Sequence, residues 1–215
     1  MGSATRAIRR SARRGAGRRE REDLAIRFVN TCAWRLRVPS EERLPDGQAL
    51  LAWLRRNGIG NARRLQTMSS AWAADAEGRK MAYETAIALR EAIYEILVAR
   101  IEGQAPPDAA LSLFNGLLAR VLSGARLAWG AGELTWSIGR EFDPLDLLKP
   151  IVVSAAELMT GPRAGRVKQC QDDRGCGWLF VDESRAQNRR WCSMGDCGNR
   201  AKANRHYERV RGERT

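Results

Sequence analysis

"CSMGDCGNRAK", residues 192–202, places four residues between two cysteines and follows the second with Gly-Asn-Arg and a basic, helix-prone run. A second pair, Cys170 and Cys176, lies upstream, so that four of the chain's five cysteines fall in the pattern C-x5-C-x15-C-x4-C. Zinc favours four tetrahedral ligands, and two close cysteine pairs separated by a hairpin-length insert supply them with little strain. Two disulfides are the weaker reading in a reducing compartment, and a redox pair would more often show C-x-x-C after a strand. The spacing therefore predicts one zinc ion held by Cys170, Cys176, Cys192 and Cys197. Four thiolates close the shell and leave no position for a catalytic water, so the metal is expected to be structural.

The insert fits this arrangement. "GWLFVD" (177–182) and "RRWC" (189–192) read as two short strands joined by the polar "ESRAQN". "GNRAKANRHYERVR" (198–211) reads as a helix that opens on the last ligand. Knuckle, hairpin and helix in that order describe a treble clef.

Charge is unevenly spread over the 215 residues and their net +12. Residues 1–19 carry seven arginines and no acid, and from Arg163 onward thirteen basic residues face seven acidic ones. The body between them is close to neutral. Basic ends point to a polyanionic partner, since phosphate attraction is the main sequence-independent term in nucleic-acid binding. Gly, Ser, Ala and Arg dominate residues 1–19, which offer no apolar face and are expected to be a disordered tail. An apolar content of 44% suffices for a packed core, and no stretch approaches the roughly 20 apolar residues of a membrane span. A soluble, cytoplasmic protein is expected.

Residues 20–162 read as a mainly helical domain with a small β-hairpin. In "REDLAIRFVNTCAWRLRVPS" (21–40), Leu24, Phe28, Val29, Cys32, Ala33 and Leu36 recur at helical spacing up to Pro39, with Cys32 as a buried hydrophobe. Asp46 caps a helix closed by Gly58, another covers 61–74, and "RKMAYETAIALREAIYEILVARIEG" (79–103) is the strongest helix, ended by Gly103. Asp108 caps the next. Leu127 and Trp129, then Leu134, Trp136 and Ile138, alternate across Gly130-Ala131-Gly132 as a hairpin. Helix returns in "DPLDLLKPIVVSAAELMTG" (143–161). The body has no nucleophile-and-base signature, phosphate-binding glycine loop or histidine, so the chain does not read as an enzyme; the one histidine is His206.

Residues 166–211 resemble the CGNR zinc finger, through "CGWLFVDESR" (176–185), "RRWCSMGDCGNRAK" (189–202) and the basic run that follows. The body is similar to the ABATE domain that precedes this finger, chiefly in "LAIRFVNT" (24–31), "ALREAIYEIL" (88–97) and "VVSAAELM" (152–159). The resemblance implies a stress-related bacterial transcription regulator, divided into a tail (1–19), an ABATE-like domain (20–162) and a finger (163–215). Two departures stand out. The first cysteine pair is one residue wider than is usual in the family, and Arg27 stands where its "DFVNT"-like motif carries an acid.

At about 100° per residue, Lys202, Arg205 and Arg209 share one helix face, while Ala203, Tyr207 and Val210 share another that is expected to pack on the finger's hairpin. Arg185, Arg189 and Arg190 add charge from the insert and Arg200 from the helix's first turn. These seven side chains are the candidate DNA contacts; the alternative is that they balance the doubly negative zinc-tetrathiolate and otherwise face water. Gly198 is expected to permit a tight approach beside the metal, Asn199 to brace local backbone, and Trp178 and Trp191 to form the module's core. The reading is a DNA-binding regulator whose body senses an effector or mediates assembly; a zinc-stabilised protein-interaction module is the alternative. No residue identifies an effector site.

Overall fold

The computed structural model describes residues 23–123, 125–130, 132–138 and 144–212. The arginine-rich segment 1–19 lies outside the described residues.

The first helix, α1 (Leu24–Val29), buries Ala25, Ile26, Phe28 and Val29. It is far shorter than its apolar spacing predicts. At Asn30 the chain leaves the helix, because the Asn30 side chain is committed to the backbone of Leu179 instead of to its own turn. Cys32 and Ala33 then form β1 (Cys32–Ala33), paired antiparallel with β2 (Glu41–Glu42). Cys32 is buried as expected, while Leu36 is exposed.

Helix α2 (Gly47–Arg56) starts where the Asp46 carboxylate accepts from the Ala49 N–H at 2.8 Å, and Gly58, at φ 71°, turns the chain after it. Asn61 caps α3 (Ala62–Ala74) in the same way. The long α4 (Ala76–Ile101), capped by Asp75, threads the body, and α5 (Asp108–Ser123) returns along it. Strands β3 (Ala125–Gly130) and β4 (Glu133–Ile138) form the expected hairpin, with Trp129 opposite Leu134. A 3-10 turn (Pro144–Leu148) feeds α6 (Lys149–Thr160), with Pro150 in its first turn where the missing N–H costs nothing. Among the described residues no helix is long and apolar enough to cross a membrane.

Helix α1 lies between α4 and α6, so that Ile26, Phe28, Leu89, Ile93, Leu97, Ile151 and Leu158 meet in one core. The Phe28 and Trp53 rings pack at a tilt of 52° with their centres 5.2 Å apart. Burying a side chain of this size contributes about 1.5–3 kcal/mol. Charged groups also enter the interior, among them Arg90 and the pair Asp146 and Lys149. Arg90, only 3% exposed, forms a bidentate pair with Glu42 at 2.6 and 2.7 Å and reaches Glu91 at 2.7 Å, which offsets its desolvation.

After a turn at Ala164–Arg166, β5 (Val167–Gln169) pairs antiparallel with β6 (Leu179–Val181). The predicted strand in "GWLFVD" is therefore present, but its partner is β5 rather than "RRWC". In the latter stretch the Arg189 N–H donates to Asp182 and the Arg190 carbonyl accepts from Gln171, so those groups are not available to a strand ladder. Val167, Leu179 and Val181 belong to the same core as α1, α4 and α6. A wide helical turn (Met194–Gly198) then leads into α7 (Asn199–Gly212).

Candidate metal centre

Cys170 directly follows β5 and Cys176 lies in the knuckle that joins β5 to β6, where the Cys170 N–H donates to the Trp178 carbonyl at 2.7 Å and extends the ladder by one bond. The knuckle turns on Gly175 and Gly177, at φ 85° and 63°. A Cβ at Gly177 would stand 2.8 Å from Leu36 Cγ, so both the conformation and the close approach of the body require glycine there. Cys192 and Cys197 flank the wide turn. There Ser193 Oγ accepts from the Asp196 N–H, and Asn199 Nδ2 donates to the Gly195 carbonyl at 3.0 Å, the bracing role expected of Asn199. A Cβ on Gly198 would lie 3.0 Å from Met194 Sδ, a tight contact with the end of a flexible side chain.

These elements bring the four sulfurs to one point. All lie within 4.8 Å of one another, with Cys176 and Cys192 at 3.8 Å and Cys192 and Cys197 at 3.6 Å. Zinc–sulfur bonds of about 2.3 Å in a tetrahedron imply sulfur–sulfur edges of about 3.8 Å, whereas a disulfide needs about 2 Å. Three of the four cysteines are buried and none is in a disulfide. Crowding divides the protons unequally. Hydrogen bonds from Cys176 and Cys192 pull the Cys170 thiol down to about 2, while Cys192 is pushed up by its bonds to Cys170 and Cys176, and Cys197 by burial and its charged neighbours. The sulfurs cannot all ionise against one another; a divalent cation at their centre lets them do so. Geometry and donor chemistry both fit one structural zinc.

The shell around the sulfurs is basic. Arg200 Nη2 donates to Cys197 Sγ at 2.8 Å and to Asp172, whose side chain is fully buried. Burial alone would raise the Asp172 carboxyl; the Arg200 hydrogen bond and charge, the Arg174 N–H and the Cys197 thiol together outweigh it and hold the group below its ordinary value. Arg189 lies 4.4 Å over the Phe180 ring and donates to the carbonyls of Trp191 and Cys192. Of the seven basic residues singled out in the sequence, Arg189 and Arg200 thus brace the metal shell. Arg190 binds Gln171 Oε1 at 2.8 Å and lies over Trp191. Arg185, Arg190, Lys202, Arg205 and Arg209 are exposed.

The packing face of α7 differs from the expectation. Ala203 is exposed and Tyr207 is 78% exposed, while Arg200 and Asn204 hold the helix through Asp172 and Asp173. The side chains of His206 and Val210 lie outside the described residues. Trp178 and Trp191 pack beside the cysteines as expected, but Trp178 also donates its indole N–H to the Cys32 carbonyl at 2.9 Å.

That bond belongs to a seam that sequence reasoning missed. The N–H groups of Arg35 and Leu36 donate to the carbonyls of Cys176 and Gly175. Asn30 pairs with both backbone groups of Leu179, and Gln169 Nε2 donates to the Tyr94 hydroxyl at 2.7 Å. Arg35 is clamped by Glu91 and stacked 4.0 Å over Tyr94. Trp34, at the sterically costly φ of 52°, has the guanidinium groups of Arg37 and Arg200 3.9 and 5.2 Å from its ring centre. The available signal was "VNT" within the body's family-like stretch, whose asparagine the helical periodicity leaves without a task.

Residues 22–162 match the ABATE family, described as "Putative stress-induced transcription regulator", and residues 166–210 match the CGNR zinc finger. No curated protein matches the chain. With the first match covering well over half of the sequence, and the four-cysteine centre standing where the second places its finger, the chain belongs to the ABATE family and carries a C-terminal CGNR zinc finger.

Proposed function

We propose that the protein is a DNA-binding transcription regulator in which the zinc centre fixes the start of α7 and presents its basic face to the duplex. The observation that carries this reading is the contrast within one helix. Arg200 and Asn204 tie α7 to the metal shell, whereas Lys202, Arg205 and Arg209 are exposed, Arg205 lying beside the Trp191 ring. A rigidly held helix with solvent-facing cations suits phosphate contact and base-edge readout. Arg185 and Arg190 extend the charge from the insert. Arg189 and Arg200 support the surface from behind.

The body would govern this activity by binding an effector or by assembly. Assembly is favoured by the hairpin, where Leu127, Trp129 and Leu134 are 61%, 72% and 63% exposed and share one face by the pairing register. The seam between the "VNT" segment and the finger gives any such event a direct route to the metal module.

Selection on random duplex DNA, with and without a chelator, tests the reading. Enrichment of a site that depends on zinc supports it. Binding that is indifferent to salt and to chelation argues instead for a zinc-stabilised protein-interaction module.

A further inference from the structure

A cleft of about 630 Å³ opens between the C-terminal end of α4 and the finger. Its polar lining consists of Arg100 from α4, Lys168 from β5, Arg189 and Arg190 from the insert, and the amides of Gln169, Gln171 and Asn188. Among the described residues that line it there is no carboxylate. Four cations converge on one concavity from three separate segments of the chain.

How these cations are held decides what they can bind. Arg100 donates to the Ala164 carbonyl and Arg190 to the Gln171 amide oxygen. Neutral acceptors of this kind orient a guanidinium without cancelling its charge, and each planar fork keeps further N–H groups for an oxyanion. Lys168 differs, since it donates to the buried Asp182 at 2.8 Å. Arg189 is anchored on the carbonyls of Trp191 and Cys192. The cleft is thus positively charged, pre-oriented and large enough for a phosphorylated small molecule.

We infer that this cleft is a phosphate-binding site in which Arg100 and Arg190 grip the oxyanion. Two sources supply that chemistry, a DNA backbone phosphate and a free phosphorylated molecule. The first has a structural link to α7, because Arg190 and Arg205 flank the same indole, at 5.5 and 5.8 Å from the Trp191 ring. The site itself does not depend on the DNA reading, since Arg100 belongs to the body.

The test uses the zinc-loaded full-length protein, the double variant Arg100→Gln/Arg190→Gln, and Arg63→Gln as an exposed control on α3. Pyrophosphate is titrated calorimetrically at constant ionic strength, and duplex DNA binding is followed over a salt series. Unchanged zinc content and thermal midpoint verify that the variants fold. The parent and control should bind pyrophosphate saturably, and the double variant at least tenfold more weakly. If the DNA salt slope also falls by about two in the double variant, the phosphate is DNA's. If only pyrophosphate binding is lost, the ligand is a free phosphorylated molecule. Parent-like behaviour of the double variant in both titrations overturns the site. DNA binding unaffected by Arg205→Ala and Arg209→Ala, with pyrophosphate binding intact, would instead sink the α7 reading and leave the cleft standing.

Discussion

The side chain of Asn30 completes a two-way bond with the backbone of Leu179: Nδ2 donates to the carbonyl at 2.8 Å and Oδ1 accepts the N–H at 3.0 Å. The residue that ends the first helix of the body thereby serves as the next rung beside a strand of the finger. Leu179 is fully buried, so its backbone groups have no water to turn to.

Asn30→Ala should therefore cost about 1–3 kcal/mol, the penalty of stranding buried polar groups, while leaving zinc content at one per chain. Thermal unfolding with metal analysis checks both. A variant as stable as the parent would show that the seam contributes nothing.

Ending the chain after residue 162 removes Val167, Leu179 and Val181 from a core they share with α1, α4 and α6. The truncated body is expected to be less stable than the full chain, which should unfold in one cooperative transition. Calorimetry of both forms distinguishes this from two independently melting units.

Much of this organisation was legible in sequence, because the cysteine spacing, the Asp46 cap and the Gly58 and Gly103 stops are local signals that the fold obeys. What was not legible depends on contacts distant in sequence. Periodicity alone carries the first helix to Leu36; it ends at Val29 because Asn30 bonds 149 positions away. "RRWC" has strand-like composition, yet the Asp182 carboxylate takes the Arg189 N–H. The inner face of α7 follows Asp172 and Asp173 rather than Tyr207, through the Arg200–Asp172 ion pair and the hydrogen bond from the Asn204 amide to Asp173.

Serine at Cys192 or Cys197 should abolish stoichiometric zinc and disorder the turn at Met194–Gly198 together with α7. Loss of helicity by circular dichroism alongside metal analysis would show this. Full zinc occupancy in either variant would mean that the residue is not a ligand.

Asp182 has no exposed surface and receives Lys168 Nζ, Ser184 Oγ and the Arg189 N–H at 2.6–2.8 Å. Burial pushes its carboxyl up, but these donors outweigh burial and hold it well below the ordinary carboxylate range. A depressed folded-state value means that the stabilisation is full above the unfolded value of about 4 and fades as pH falls below it. Asp182→Asn should cost about 3 kcal/mol near neutrality, and the gap in unfolding free energy between parent and variant should narrow as pH drops from about 5 to 3. A gap that stays constant would contradict this role.

The central claim, that α7 on its zinc platform is the DNA-binding element, is tested most directly by salt-dependent DNA binding in protein lacking residues 1–19. Removing that segment takes away seven arginines whose attraction to phosphate is independent of sequence, so the contribution of α7 is read without it. In this background Arg205→Ala or Arg209→Ala should lower the salt slope by about one where the residue meets phosphate, or cost about 1–3 kcal/mol at one base position where it reads an edge, with zinc content unchanged. Parent-like DNA affinity in both variants at low salt would contradict the account and assign the finger to protein interaction.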